Sequence, residues 1–260
     1  MIKNLEFENK SFVCLNCFFY YSALLNERVS MTQEFLKKID HQIQDKHLLN
    51  HPFYQAWSRG ELSKECLVEY AKEYYHHVKA FPRYLSALHS HTEDADTRRH
   101  LLNNLIEEEA GLPNHPDLWK SFTQQLGASP EEIEAHHPSP SMQAIIHTFM
   151  ESCKNSSTAE GIACLYAYES QIPSICLSKI KGLKEHYGMQ EPDHWKYFSV
   201  HIEADKEHAA VERKLLGSYA NKSNEALIAT SVERTLLVLW NFLSSLCTRY
   251  QLACSTSKSL

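Results

Sequence analysis

From residue 31 onward, apolar side chains recur every three or four positions, the spacing that gathers them on one face of an α-helix. No stretch alternates apolar and polar residues over more than a few positions, so the pattern favours an all-α fold of about seven to eight helices. Polar residues that commonly precede helices mark the predicted starts. These residues are Ser63, Thr97, Ser129, Ser139, Thr158, Asp193 and Ser223.

Only short connections separate the predicted helices, with no low-complexity tract and no internal repeat. Short connections favour antiparallel neighbours, so residues 31–250 are expected to form a single-domain helical bundle. Residues 12–25 form an apolar run that is too short to span a bilayer. Because Met31 directly precedes the periodic region, residues 1–30 are interpreted as disordered or as an over-extended gene start, and residues 251–260 as a flexible tail.

Composition narrows the range of functions. The chain has 260 residues, seven glycines and no glycine-rich phosphate-binding motif, which argues against a nucleotide enzyme. A formal charge of -6 without a Lys/Arg cluster argues against nucleic-acid or membrane partners. Eight scattered cysteines show no disulfide framework and favour a reducing compartment. Sixteen histidines direct attention to metal or proton chemistry.

The motif H-x-x-x-D-x-x-H at His201, Asp205 and His208 is the strongest chemical signal. Residues at i, i+4 and i+7 fall within roughly 60° on a helix surface, so the three side chains converge as one half of a metal site. An exposed charged helix with this spacing by chance is an equally good interpretation of the motif alone. The intervening acids and lysine are expected on solvated faces: Glu203, Lys206, Glu207 and Glu212.

Glu169 lies in an otherwise apolar and aromatic run, IACLYAYESQIPSICL. A carboxylate buried there is costly unless it is paired with a buried arginine or bound to a metal. Pro173 cannot donate a hydrogen bond to the carbonyl of residue 169, so a helix kink is predicted at the proposed ligand.

Glu108 and His115 are seven residues apart, but a glycine and a proline interrupt the helix between them, and Glu107 or Glu109 could be the inward residue instead. Taken together, three carboxylates and three histidines on three helical segments match the ligation of a non-haem di-iron or iron–manganese centre. Zinc alone would not need six ligands.

The segments EEEAGLPNHPDLW, CLYAYESQIPSI and HIEADKEHAAVE carry a family resemblance. Over about residues 31–250 the chain resembles the CADD-like family (Chlamydia protein associating with death domains), within the wider TenA/PqqC-like, haem-oxygenase-like group. All six metal positions of that pattern are present. The resemblance implies a haem-oxygenase-like fold, two transition-metal ions (iron, or iron plus manganese), O₂ as co-substrate and an external reductant.

The same resemblance implies a self-sacrificing oxygenase that makes 4-aminobenzoate for folate synthesis from one of its own tyrosines. By position, Tyr54 would supply the ring, Tyr70 would be a second redox tyrosine, and Lys179 would donate the amino group. From the residues alone, both tyrosines could be core aromatics and Lys179 a surface lysine. A lysine can donate nitrogen only where desolvation lowers its pKa enough to free the lone pair.

Two other functions compete with this one. A TenA-type thiaminase or PqqC-type oxidase shares the fold but does not need the six-ligand set. The resemblance also implies an interaction protein that binds host death-domain receptors and modulates apoptosis, although no binding surface can be located in the sequence. A location in the bacterial cytoplasm, export into a host cell and a homodimer are further expectations.

Overall fold

The computed structural model describes residues 31–252, and these residues form helices without a β-strand. The predictions for residues 1–30 and for most of the tail lie outside this part of the chain. Two short 3₁₀-helices, at Leu48–Asn50 and Pro192–Trp195, accompany the α-helices. The α-helices are α1 (31–45), α2 (Pro52–Ser58), α3 (Lys64–His91), α4 (Ala95–Glu109), α5 (His115–Gln125), α6 (Pro130–Ala135), α7 (Pro140–Lys154), α8 (Thr158–Glu169), α9 (Ile172–His186), α10 (Lys196–Tyr219) and α11 (Glu225–Arg249).

Side-chain caps explain where several helices begin. Ser63, Ser129 and Ser139 accept hydrogen bonds from the first turns of α3, α6 and α7, as predicted. The other predicted starts are displaced by one to three residues. At α4, Asp94 rather than Thr97 is the cap, because its carboxylate accepts a hydrogen bond from the Thr97 N–H at 2.7 Å.

The described residues contain more helices than the expected seven to eight. Part of the difference comes from α2 and α5, which none of the predicted starts precedes. Another part comes from the predicted break near Glu169, where α8 ends at that residue and α9 begins at Ile172, with Pro173 in its first turn. Glu169, the last residue of α8 before this break, is 1% exposed.

The packing of the long helices builds one continuous core. Helix α3 packs against α4, α5 and α7, helix α10 against α8 and α9, and helix α11 against α7 and α8. Helix α11 is long and apolar enough to cross a membrane by length and composition. Its Leu236, Leu239 and Leu243 side chains are buried in the bundle, as expected for a core helix.

Candidate metal centre and adjoining tyrosine cluster

Four helices bring the six predicted metal ligands to one region of the core. Glu108 is in the last turn of α4, and His115 is the first residue of α5, so these two residues belong to separate helices. The six predicted ligands therefore lie on four helices, rather than on the three helical segments expected from the sequence. Glu169 ends α8, and the remaining three ligands lie on α10. The predicted ligands are Glu108, His115, Glu169, His201, Asp205 and His208.

Glu108, His115 and His201 form a first cluster, with one ligand atom from each residue within 4.8 Å of the others. The two Glu108 oxygens lie 3.0 Å from His115 Nδ1 and 3.8 Å from His201 Nε2. His201 Nδ1 lies 2.6 Å from the carbonyl oxygen of Tyr197, which can only accept a hydrogen bond. Nδ1 therefore carries the proton, and the lone pair of Nε2 faces the cluster, as in metal-binding histidines.

Glu169, Asp205 and His208 form a second cluster with the same close spacing of ligand atoms. His208 Nδ1 lies 3.5 Å from Glu169 Oε1 and 3.4 Å from Asp205 Oδ1. On the other side of the ring, His208 Nε2 lies 3.2 Å from Glu107 Oε2. Glu107 and Glu109 are both exposed, so Glu108 is the inward residue and Glu107 reaches the site only through the outer edge of His208.

The carboxylates of the two clusters are buried without a lysine or arginine partner among the described residues. The alternative of a buried arginine beside Glu169 is not found in this part of the chain, where Asn104 Nδ2 donates to Glu169 at 3.0 Å. Burial, followed by the charges of Glu169 and Glu108, raises the pKa of Asp205 to about 8, against a hydrogen bond from His208 that lowers it.

Several buried ligand atoms have, within residues 31–252, no polar neighbour other than another predicted ligand or Glu212: Glu169 Oε2, His115 Nδ1 and His208 Nδ1. Converging carboxylate and imidazole atoms are the donors that divalent transition metals prefer. A small cavity of about 10 Å³ adjoins both clusters. Its polar lining consists of Glu108, Tyr168, Glu169, Tyr197, His201 and Asp205.

Tyr54, Tyr70 and Lys179 form a hydrogen-bonded cluster in the same core. Lys179 Nζ donates to Tyr70 Oη at 2.7 Å, and the hydroxyl oxygens of Tyr70 and Tyr54 lie 3.2 Å apart. Lys179 is 4% exposed, so its interpretation as a surface lysine is wrong. Burial lowers the pKa of Lys179 to about 7, which leaves the amine largely neutral in weakly alkaline solution.

A close approach of α9 to α2 brings the lysine to this cluster. A Cβ atom at Gly182 would lie 2.7 Å from the Trp57 ring, so glycine permits the two helices to pack there. Trp57 Nε1 also donates to the carbonyl oxygen of Lys179 at 3.3 Å. The backbone around Lys179 is therefore held against the helix that carries Tyr54.

Two further tyrosines connect this cluster with the cavity. The Tyr70 and Tyr74 rings stack with centroids 5.4 Å apart, and the Tyr74 and Tyr168 hydroxyl oxygens lie 2.9 Å apart. Tyr168 lines the cavity beside the predicted ligands. The contacts form a continuous aromatic path from Tyr54 to the candidate metal centre. Sequence reasoning assigned no role to Tyr168, although it immediately precedes Glu169.

The expectation that Glu212 lies on a solvated face is wrong. The residue is 5% exposed, and its carboxyl group lies within hydrogen-bonding reach of Glu169. The signal was present in the sequence, because Glu212 continues the His201, Asp205 and His208 spacing by one more helical turn. The other residues expected on solvated faces, Glu203, Lys206 and Glu207, are exposed.

The architecture and the site define a helical-bundle protein with a candidate two-metal centre. A domain from Shewanella denitrificans described as having a heme oxygenase-like fold superposes with a TM-score of 0.68 at 16% identity, covering 92% of this chain and 96% of the other. The chain belongs to the TENA/THI-4/PQQC family, whose profile matches residues 38–248. The all-α, haem-oxygenase-like fold and the TenA/PqqC resemblance predicted from sequence are confirmed.

Two curated relatives carry the name 4-aminobenzoate synthase. The protein from Chlamydia trachomatis serovar D is 49% identical over 211 residues, which is 81% of this chain and 91% of the relative. The protein from Nitrosomonas europaea is 40% identical over 231 residues, which is 84% of this chain and 93% of the relative. The similarity thus extends over nearly the whole of both relatives.

Proposed function

We propose that this protein is a 4-aminobenzoate synthase, an O₂-dependent di-metal oxygenase that consumes its own Tyr54 and takes nitrogen from Lys179. The observation that carries the proposal is the buried cluster of Tyr54, Tyr70 and Lys179, joined by tyrosines to six ligand-type side chains. The names of the two relatives and their similarity over most of the chain support the same activity.

The six ligand residues suit two transition-metal ions, iron or iron plus manganese, because their donor atoms are carboxylate oxygens and imidazole nitrogens in two groups. Such ions, when bound and reduced, supply the electrons and the coordination position that O₂ needs for reaction. The chain itself positions the ligands, excludes bulk water by burial and holds His201 in the tautomer that presents Nε2.

The chemistry of Tyr54 follows from the product. A tyrosine side chain contains the same number of carbon atoms as 4-aminobenzoate, so its Cβ atom must become the carboxyl carbon and the bond between Cα and Cβ must break. The nitrogen of Lys179 must replace the phenolic oxygen, so a bond forms between Nζ and the ring, the bond between Nζ and Cε breaks, and the phenolic oxygen leaves as water. O₂ is the oxidant for these steps, and an external reductant supplies the remaining electrons.

Lys179 is placed to act as an amine rather than as an ammonium ion. Its Nζ atom lies 5.4 Å from the centroid of the Tyr54 ring and donates a hydrogen bond to Tyr70. With a pKa of about 7, a large fraction of the amine has a free lone pair in weakly alkaline solution. Tyr70, Tyr74 and Tyr168 provide oxidisable rings between Tyr54 and the metal ligands.

The test is a single-turnover experiment. Metal-loaded protein is reduced and exposed to O₂, and released 4-aminobenzoate is measured together with the intact and peptide masses. We expect at most one product per chain, loss of the Tyr54 side chain, and ring label in the product when the protein contains ring-labelled tyrosine. Product without a mass change at Tyr54, or product formed by Tyr54→Phe, would show that the ring comes from elsewhere.

Lys179→Arg is the matched variant for the nitrogen source, because it keeps a long nitrogen-containing side chain but cannot provide a neutral amine. We expect no aminated product from it, and ¹⁵N-lysine in the wild-type protein should label the product. The association with death-domain receptors and the homodimer remain predictions.

A further inference from the structure

A second cavity lies on the other side of the Glu169, Asp205 and His208 cluster, between α4, α8 and α10. It has a volume of about 120 Å³, an order of magnitude more than the cavity lined by Tyr168. Exposed Glu107 and Glu207 form part of its wall, so it extends to the protein surface. Its polar lining comes from His100, Asn103, Asn104, Glu107, Glu207, His208 and Glu212.

Glu212 is the buried carboxylate of this cavity. Only 5% of the residue is exposed, and within residues 31–252 neither carboxyl oxygen accepts a hydrogen bond from an amide, a hydroxyl group or a basic side chain. No lysine, arginine or histidine forms an ion pair with it in that part of the chain either. A buried acid in this state costs several kcal/mol unless a proton or a cation compensates its charge.

The position of Glu212 favours a cation. The residue lies one helical turn beyond His208 on α10, so it extends the face that already carries three predicted ligands. Its carboxyl group is within hydrogen-bonding reach of Glu169, a member of the second cluster. Two facing carboxyl groups and a nearby imidazole provide the oxygen-rich ligation that Mn²⁺ and Fe²⁺ accept.

We propose that Glu212 is an additional ligand of the cation held by Glu169, Asp205 and His208. The inference rests on the proposed function in one respect, because it requires that the second cluster binds a divalent transition metal. It adds a carboxylate that the six-residue pattern does not contain.

Mn²⁺ binding to Glu212→Gln tests the inference without an activity measurement. We expect the wild-type protein to bind two equivalents, and the variant to bind one of them about 10- to 100-fold more weakly. Glu207→Gln is the matched control, because this residue lines the same cavity on the same helix but is exposed. Its two Mn²⁺ affinities should stay within about twofold of the wild type.

Thermal unfolding provides a second measurement. Removal of an uncompensated carboxylate should raise the unfolding temperature of the metal-free protein, while the further rise caused by Mn²⁺ should become smaller. A purely structural residue would instead lower the unfolding temperature with and without metal. If Glu212→Gln does not fold, Glu212→Asp retains the charge, and its second Mn²⁺ equivalent should still be weakened by the shorter side chain.

The outcomes separate this inference from the proposed function. Two equivalents bound with wild-type affinity by the Glu212 variants would overturn the role of Glu212 and leave the six-ligand centre intact. Absence of Mn²⁺ and Fe²⁺ binding by the wild-type protein would overturn the metal centre and this inference with it. If Glu207→Gln also weakened the binding of both Mn²⁺ ions, the cause would be a general loss of negative charge rather than the loss of a ligand at Glu212.

Discussion

Two clusters in this bundle have the same ligand types and differ in the charges around them. Glu69, Glu73 and His136 bring their ligand atoms within 4.8 Å of one another, as do Glu169, Asp205 and His208. In the first group, Arg249 lies 2.6 Å from Glu69 and 3.6 Å from Glu73. In the second group, no arginine or lysine of the described chain forms an ion pair.

The comparison shows that convergent ligand atoms alone do not define a metal site. In the Glu69 group, Lys72 contacts Glu69 at 3.1 Å, and the backbone N–H of Ser139 donates to Glu73 at 3.0 Å, so the protein itself compensates the carboxylates. In the Glu169 group, His208 is the only basic side chain of residues 31–252 that contacts the carboxylates, and Glu169 Oε2 accepts no hydrogen bond from an N–H or hydroxyl group. Such a group is stable only when a proton or a cation supplies the missing charge.

The largest expected effect is therefore on metal content. His201→Ala or Asp205→Ala should lose at least one of two bound equivalents, because each removes a ligand from one cluster. His136→Ala, from the cluster that has its own cations, should retain both. Elemental analysis of protein prepared with iron and manganese measures the difference, and unchanged metal content in both α10 variants would remove the proposed centre.

Lys179 is the reverse case, a basic side chain that is buried without a carboxylate partner among residues 31–252. Its pKa in the folded protein is about 7, against an ordinary value of 10.5. Below pH 7 the ammonium is present in both states and its burial destabilises the fold by an amount that is constant with pH. Between pH 7 and about 10.5 the unfolded chain binds more protons, so stability rises with pH.

Lys179→Met should consequently be more stable than the wild type at pH 7, with an upper limit of about 5 kcal/mol set by the pKa difference. This gain in stability should shrink as the pH approaches 10, because Lys179 is then neutral in more of the unfolded chains as well. At higher pH the variant should be less stable than the wild type by about 1 kcal/mol, because the hydrogen bond to Tyr70 is missing. Urea unfolding of both proteins across this pH range measures the difference. A gain that does not vary with pH would contradict burial of a neutral amine.

Arg249→Ala should have a smaller effect, a destabilisation of about 1–3 kcal/mol. The side chain is 40% exposed, but it is an ion-pair partner of Glu73, whose side chain is 2% exposed. The Ser139 N–H continues to compensate Glu73, which limits the loss. Arg249→Ala combined with Glu73→Gln should recover most of the stability in thermal unfolding. Equal losses in the single and double variants would show that the charge of Glu73 is not the cause.

The sequence predicted the burial of a residue correctly where that burial is set by the residue's own helix. The period of apolar residues predicted the bundle, and the apolar run around Glu169 predicted that this carboxylate is buried. Prediction from sequence failed where burial depends on contact with another helix. Glu212 was assigned to solvent as a charged residue of a charged helix, but contact with the end of α8 buries it. The buried position of Lys179 likewise depends on the approach of α9 to Trp57 at Gly182.

The smallest expected effect concerns Glu107, which contacts the candidate centre only through His208. Its side chain is 50% exposed and lies 3.2 Å from His208 Nε2, so solvent screens its charge while the contact still orients the imidazole ring. Glu107→Gln should weaken the second Mn²⁺ equivalent by less than about tenfold and leave the first unchanged, because the first cluster contains no atom of His208. Loss of the second equivalent comparable to that of Asp205→Ala would mean that Glu107 is itself a ligand, and that the centre lies closer to the surface than the buried oxygens of Glu169 indicate.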